Sequence, residues 1–252
     1  KNTLGRPHGF DCDRQGTLFF EIERIIRHHQ PAAFLLENVK NLVRHDRGRT
    51  FETIRKIITE DLGYSLSFRI IDARCFVPQG RERVFIVGFS DGAEFDFDQV
   101  RLPDPSEWPT LSAILHPADG SGESEIPYTR MAGIPDDRYT LSDHLWRYLR
   151  DYAEKHREKG NGFGYGLFGP EDVARTLSAR YHKDGAEILI RADVPGGNPR
   201  RLTPREAARL MGFVGTPSSP WIIPVSDTQA YRQFGNAVVP QVVGAIAEAM
   251  KP

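Results

Sequence analysis

Residues capable of chemistry cluster in four places. Phe34-Leu-Leu-Glu-Asn-Val-Lys-Asn41 drives three apolar residues straight into a carboxylate and an amide. A buried carboxylate without a partner is expensive, and an acid at the carboxyl end of a sheet strand often belongs to a site. Glu37 and Asn38 are therefore either site residues or a strand end whose polar groups satisfy a neighbouring loop. Pro78-Gln-Gly-Arg-Glu-Arg-Val84 alternates Gln79, Arg81 and Arg83. In an extended segment that spacing puts all three on one face. Two guanidiniums and an amide facing one way suit a planar polar substrate or a phosphate, although a salt-bridged edge strand has the same spacing. Arg200-Arg-Leu-Thr-Pro-Arg-Glu-Ala-Ala-Arg-Leu-Met-Gly-Phe213 reads as a well-capped basic helix, functional or merely structural with exposed arginines. In Gln233-Phe-Gly-Asn-Ala-Val-Val-Pro240, Gly235 permits a turn that other residues resist, and Asn236 can cap a helix or contact a ligand.

The elements that must position these groups follow from hydrophobic periodicity. Residues 15–29 place Leu18, Phe19, Ile22, Ile25 and Ile26 on one helical face, and Pro31 ends the helix. Residues 33–36 read as a short buried strand. Residues 50–62 form a second amphipathic helix, with Phe51, Ile54, Ile57, Ile58 and Leu62 inward and Gly63 as its stop. Residues 64–70 alternate as a strand, and 84–89 are another apolar strand. Helix, strand, helix, strand, strand describes an α/β sheet with helical crossovers. The pattern fails from about 90 to 200, where prolines, glycines and acids are frequent. There only 141–159 shows a helical face, with Leu145, Tyr148, Leu149 and Tyr152. Thr203-Pro-Arg-Glu206 is a capping box with proline at the first helical position. Ser226-Asp-Thr-Gln229 repeats that logic, and 240–250 is a final apolar-faced helix. The organisation expected is 1–90 as one part of a domain, 91–214 as a loop-rich module, and 215–252 returning to the first domain.

Bulk properties bound the answer. With 252 residues, 39% hydrophobic and 27% charged, a real core is possible and wholesale disorder is excluded. The net charge of -1 gives no reason by itself to expect nucleic acid, but residues 175–209 hold eight Lys/Arg against four Asp/Glu. Such a local basic stretch is either a polyanion footprint or a solvated face. Two distant cysteines, Cys12 and Cys75, form no disulfide framework and suit a reducing cytoplasm. No apolar run approaches the ~18 residues of a membrane span, no signal-peptide pattern is present, and no metal-ligand cluster stands out.

Taken together and in this order, FLLENVKNL, PQGRERVFIVGF, RRLTPREAARLMGF and QFGNAVVP resemble the DNA cytosine-5 methyltransferase family. The match spans 15–90 and 200–250. TLSARYHKDGAEILI (176–190) and PVSDTQAYRQFGN (224–236) look like its Dcm/EcoRII branch, which methylates the inner cytosine of CC(A/T)GG. The resemblance implies an α/β fold: a Rossmann-like sheet of the S-adenosylmethionine-dependent methyltransferase type, incomplete at its N-terminus, beside a small loop-rich target-recognition domain. It implies S-adenosylmethionine as methyl donor, duplex DNA as partner, and a bacterial cytoplasmic, nucleoid-associated setting. In that chemistry a cysteine thiolate adds to cytosine C6, and protonation or strong hydrogen bonding at N3 lets the addition proceed. Glu37 looks like the carboxyl that supplies it, in a dry pocket that raises its pKa. Asn38 looks like a brace for the nucleophile loop, and Arg81 and Arg83 look like the pocket arginines. Asn236, Ala237 and Val238 look like part of the donor pocket. The target base must be extruded from the duplex first.

The family's Pro-Cys nucleophile and glycine-rich donor loop are not found in this sequence. Cys12 lies between two acids, which raise a thiol's pKa. Cys75 follows Arg74 but no proline precedes it. The start at Lys1, in a loop-like segment, reads as an internal start: a fragment, a processed chain or one subunit of a split enzyme. The missing segment is then a partner in cis or in trans, and the chain alone is expected to transfer no methyl group. Gln79, Arg175, Arg180, His182, Lys183 and Arg201 are the candidates for substrate contact, Arg180 first because it sits in the basic SARYHK run. Arginine pairs bidentately with guanine O6 and N7, whereas His182 also suits simple packing. Two rival expectations are a non-catalytic DNA-binding remnant, which has no need of Glu37, and a relative that methylates tRNA cytosine.

Overall fold

The computed structural model describes residues 17–117, 119–162, 164–214 and 221–251. The chain divides into two compact units. The first comprises the described residues up to Asp72, Glu82–Leu102 and those from Gly244 onward; the second comprises Ala73–Arg81 and Pro103–Val243.

In the first unit, α1 (Thr17–His29) leads to strand β1 (Ala33–Val39). Helix α2 (Arg49–Lys56) runs on as a π-helical turn, Ile57–Asp61. It stops at Gly63, whose φ of +74° is the left-handed conformation expected of a helix-ending glycine. Strands β2 (Ser67–Asp72) and β3 (Glu82–Phe89) complete a sheet of order β1-β3-β2. Both outer strands are antiparallel to β3, so they run parallel to each other, with α2 on the connection between them. That is the α/β sheet with a helical crossover expected from the sequence.

β1 is longer than its apolar run. It continues through Glu37, Asn38 and Val39 because β3 offers backbone partners along its whole length, from Ala33 opposite Phe89 to Val39 opposite Arg83. The polar residues thus lie inside the ladder. On one face of the sheet Phe34, Val84 and Ile86 join Ile26 of α1 and Phe51, Ile54, Ile58 and Tyr64 in one core. The apolar side of α1 is only half used. At 100° per residue, Phe19, Ile22 and Ile26 point to this core, whereas Leu18 and Ile25 fall on the flank and are 67% and 48% exposed. Gly88 lies directly opposite Phe34. A Cβ there would overlap the Phe34 ring and lie 2.7 Å from the Ser65 carbonyl oxygen, so the ring crosses the sheet only because position 88 has no side chain.

The second unit has little regular structure. Its strands β4 (Leu167–Phe168), β5 (Leu189–Ile190) and β6 (Arg200–Arg201) are two residues each, with β4 parallel and β6 antiparallel to β5. Helix α3 (Asp143–Glu158) is capped by Ser142, and Leu149 is buried against Leu141 and Leu189. Helix α4 (Pro204–Leu210) carries the capping box in full: Glu206 N–H donates to Thr203 Oγ1 at 3.1 Å, and Thr203 N–H donates to Glu206 Oε2 at 2.8 Å. Helix α5 (Asp227–Asn236) carries only the first half, Gln229 N–H to Ser226 Oγ at 3.4 Å. Helix α6 (Pro240–Ala249) follows, and the division between units falls within it.

Where ladders are short, buried side chains satisfy the backbone instead. Tyr181, fully buried, donates to the Ile188 carbonyl at 2.7 Å and accepts from Leu202 N–H at 2.7 Å. Tyr231 stacks edge-on against it and donates to the Leu202 carbonyl. Burial pushes both phenols above the ordinary tyrosine range, so they stay neutral donors.

Gly88→Ala is predicted to lower stability by about 1–3 kcal/mol, the usual consequence of overpacking. Urea unfolding checks this: the midpoint should fall with the slope unchanged. An unchanged midpoint would mean that Phe34 relocates without penalty.

Candidate functional site

The register of β1 against β3 decides what Glu37 meets. Glu37 is opposite Phe85, and Arg83 lies two residues along from Phe85 on the same face. Diagonal neighbours in an antiparallel pair are within reach of long side chains. Arg83 Nε accordingly lies 3.0 Å from Glu37 Oε1, with side-chain exposures of 16% and 30%. A second Arg83 nitrogen, Nη1, donates to the Glu82 carbonyl at 2.9 Å, which fixes the guanidinium plane. Asn38 turns to the opposite face, and its Oδ1 accepts from Val39 N–H at 2.8 Å. A partly exposed ion pair contributes only about 0–1 kcal/mol to stability. Its consequence is orientation: a carboxylate and a guanidinium are presented side by side at the carboxyl end of β1. Among the described residues Glu37 is only part-shielded.

Gln79 and Arg81 belong to the second unit and Arg83 to the first. β3 begins at Glu82, and the residues before it turn instead through Ala73–Cys75 and a single bridge from Gln79 to Ala174. Gln79 is wholly buried, its Nε2 donating to the Leu210 carbonyl at 2.6 Å and its Oε1 accepting from Leu177 N–H at 3.1 Å. Arg81, 2% exposed, donates to the carbonyls of Leu177 at 3.1 Å, Gly235 at 3.1 Å and Ala237 at 2.6 Å. These two side chains are staples of the second unit: they tie the basic segment around Leu177 to the end of α4 and to the loop after α5. Gly235 is part of the same contact, since a Cβ there would strike the Ser178–Ala179 backbone. Sequence spacing alone could not reveal partners about a hundred or more residues away.

Of the expected donor-pocket residues, Asn236 is exposed and Ala237 and Val238 are half-buried. The carbonyls of Gly235 and Ala237 are taken by Arg81, leaving the Asn236 amide and the apolar Ala237 and Val238 surface for a nucleoside edge, which fits part of a methyl donor. Arg175, Arg180 and Lys183 are exposed. His182 is half-buried, with Nδ1 3.0 Å from the Ala179 carbonyl, an arrangement in which the ring donates a local hydrogen bond. Arg201 is half-buried in β6. Cys75 is buried, and Cys12 lies outside the described residues. Among the described residues no cluster of His, Cys, Asp and Glu could hold a metal ion, and no helix is long and apolar enough to cross a membrane.

The sequence reading missed a buried polar cluster around Glu206. This carboxylate is fully buried and accepts from Arg200 Nη1 and Nη2, each at 2.8 Å, from His116 N–H at 2.9 Å and from Thr203 N–H at 2.8 Å. Beside it Glu125 pairs with Arg205 at 2.7 Å and with Arg209. The arginines of the basic helix are thus largely neutralised by acids, and the helix is not the exposed cationic surface that its composition suggests. Burial alone would raise the Glu206 carboxyl, but Arg200 and the four hydrogen bonds outweigh it and hold the group below the ordinary carboxylate range. Burial pushes His116 below the usual imidazole range, helped by Arg209 and Arg200 and opposed by Glu206 and Glu125.

With the geometry in place, the comparisons define first a class and then a family. Solved structures share the fold. The Dnmt2 methyltransferase of S. pombe superposes with a TM-score of 0.66 over 98% of this chain and 73% of its own, at 18% identity. The EhMeth methyltransferase of Entamoeba histolytica does so with a TM-score of 0.67 over 98% and 75%, at 16% identity. The fold is therefore the one these methyltransferases share. The C-5 cytosine-specific DNA methylase family matches residues 3–252, and the chain belongs to that family. The DNA-cytosine methyltransferase of Escherichia coli K12 is 45% identical over all of this chain and 56% of its own length. The type II methyltransferase M.SsoII of Shigella sonnei is 47% identical over 97% and 59%, and M.HpaII of Haemophilus parainfluenzae 39% identical over 96% and 66%. The chain thus spans little more than half the length of the first two.

Because the Glu206 carboxyl is depressed in the folded state, its stabilisation is fully present above the ordinary glutamate pKa of 4.5 and is lost as pH falls through the lower folded value. Glu206→Gln should remove that acid-side loss. At neutral pH it should cost about 3–5 kcal/mol, since Arg200 is left without its counter-charge. Urea melts between pH 3 and pH 7 read both effects; equal stability of the two proteins at neutral pH would refute the role given to this carboxylate.

Proposed function

We propose that this chain is the target-binding and part of the catalytic portion of a DNA cytosine-5 methyltransferase that acts on an extruded cytosine, within CC(A/T)GG. The observation that carries the reading is the Glu37–Arg83 pair at the carboxyl end of β1, held at 3.0 Å in a member of this family. Cytosine C5 is a poor nucleophile, and thiolate addition at C6 makes it enamine-like. In this reading the Glu37 carboxyl takes hold of N3 of the base and Arg83 holds O2, while also keeping the carboxyl in its orientation. Asn38 braces the strand end. S-adenosylmethionine supplies the methyl group when bound, with Asn236, Ala237 and Val238 lining one side of it. Gln79 and Arg81 serve as positioning residues for the second unit, and Arg175, Arg180 and Lys183 contact the DNA there.

The resemblance to methyltransferases that act on whole duplexes, rather than a bare binding remnant, is favoured by the same pair. Binding alone has no need of a carboxylate among phosphates, which repel it. The nucleophile comes from a segment that supplies the Pro-Cys motif, joined in cis or as a second subunit.

Two outcomes test this. The purified chain should transfer no tritium from labelled donor to a CC(A/T)GG duplex; detectable transfer would contradict the assignment of the nucleophile elsewhere. Joined to the N-terminal segment of the E. coli relative, the chain should transfer methyl groups, and Glu37→Gln should lower that rate by ~10²–10⁴ with duplex affinity unchanged. A Glu37→Gln rate equal to the parent's would end the proposed role of this carboxyl.

A further inference from the structure

The loop that leaves the carboxyl end of β1 is charged and strained, and neither property is explained by the fold. Residues 40–56 hold six Lys/Arg against two Asp/Glu, a local excess of cations in a chain whose net charge is -1. Three of these six cations have partners: Lys40 pairs with Glu82, Arg49 with Asp46, and Arg55 with Glu52. Within the loop itself, Arg44 and Arg47 are exposed, and their guanidiniums make no ion pair or hydrogen bond among the described residues.

The backbone adds a second observation. Asp46 (φ 50°, ψ 47°), Arg47 (φ 57°, ψ 31°) and Gly48 (φ 86°) form three consecutive left-handed residues. Glycine adopts this conformation without penalty, whereas a side chain with a Cβ does not. Asp46 has a local reason to be there, since its carboxylate accepts from Arg49 Nη2 at 2.6 Å. Arg47 has none: glycine or asparagine would make the same turn with less strain. A strained residue whose side chain does nothing for the fold points to a function for that side chain.

Position indicates the function. The loop follows Val39 directly, at the end of β1 where Glu37 and Arg83 stand. A base extruded from a duplex stays tied to the phosphates on either side of it, so those phosphates must pass near the mouth of whatever pocket receives the base. Free guanidiniums are the groups that suit phosphate oxygens.

We propose that Arg44 and Arg47 form a phosphate-binding surface that holds the DNA backbone beside the target base, with the left-handed turn at Asp46–Gly48 fixing the direction of Arg47. This rests on the reading of Glu37 as the acid that receives an extruded base. The contact is to the backbone, so it contributes affinity and no choice of sequence. The partner is duplex DNA.

The test is fluorescence anisotropy of the chain with a labelled 24-base-pair CC(A/T)GG duplex and a scrambled duplex, over a series of salt concentrations. The variant Arg44→Gln/Arg47→Gly should reduce the slope of log affinity against log salt by about 0.9 for each arginine, equally for both duplexes. Its urea midpoint should equal or exceed the parent's, because glycine relieves the turn. Arg47→Lys should keep the parent slope. Arg24→Gln, on α1 and carrying the same charge change as one loop arginine, should keep it too. A parent slope in the double variant, or an equal loss in Arg24→Gln, overturns this surface and leaves the methyltransferase reading standing. Failure of the unaltered chain to bind either duplex, or tighter binding to tRNA, overturns both.

Discussion

The antiparallel ladder between β1 and β3 is the constraint on which the first unit depends. Its register, Ala33 opposite Phe89 through Val39 opposite Arg83, fixes two things at once. It sends Phe34 and Leu36 to the face covered by α1 and α2, and it sends Glu37 to the other face beside Arg83. Side chains alternate with a period of two, so a slip of one residue would bury the carboxylate among Ile54, Ile58 and Ile86 and expose Phe34. Burying an unpaired carboxylate there would be heavily unfavourable. The hydrophobic core and the polar pair therefore enforce the same register. Gly88 closes the arrangement from the other strand, because only a missing side chain lets the Phe34 ring lie across the sheet.

The second unit solves a different problem. With strands two residues long, its interior adds buried side chains to the turn and loop hydrogen bonds that satisfy the backbone. Gln79, Arg81, Tyr181, Tyr231 and Glu206 are all buried or nearly so, and each ties together segments distant in sequence. Such a scaffold can hold exposed loops in defined places without extended sheet structure, which suits a surface whose variable part is the loop and whose fixed part is the polar interior. It also makes the unit sensitive to single buried substitutions, since each removed partner leaves a donor or acceptor unsatisfied.

What was legible in the sequence was local or periodic. The capping box at Thr203 and Glu206 is set by four adjacent residues and forms as read. α2 and β3 follow from apolar spacing, and the family likeness from the order of four short motifs, whereas the strand expected over residues 64–70 forms at Ser67–Asp72, with Phe68 and Ile70 43% and 42% exposed. The limits were physical. The run Phe34–Leu36 suggested that β1 ends where its apolar residues end, but strand length is set by the neighbouring strand. α1 has an apolar stripe wider than the surface it covers, so Leu18 and Ile25 could not be told from Phe19 and Ile26. Alternation across Gln79, Arg81 and Arg83 suggested a shared face. Long-range hydrogen bonds to Leu177, Leu210, Gly235 and Ala237 anchor Gln79 and Arg81 within the second unit, and no local pattern encodes them. The strain at Arg47 was also invisible, since nothing in HDRG distinguishes a left-handed turn from a regular one.

The chain presents a paired acid and guanidinium at one strand end, which in the proposed reading grips an extruded base from its pairing side. The most direct measurement is a double-mutant cycle on Glu37→Gln and Arg83→Gln. Its readout is the difference in affinity between a duplex with a mismatched, easily extruded target cytosine and one with an abasic site at that position. If the two side chains act as one grip, each single change abolishes the preference for cytosine and the pair shows a coupling of about 0.5–3 kcal/mol. Additive effects, or a preference that survives both changes, would mean that the base is held elsewhere.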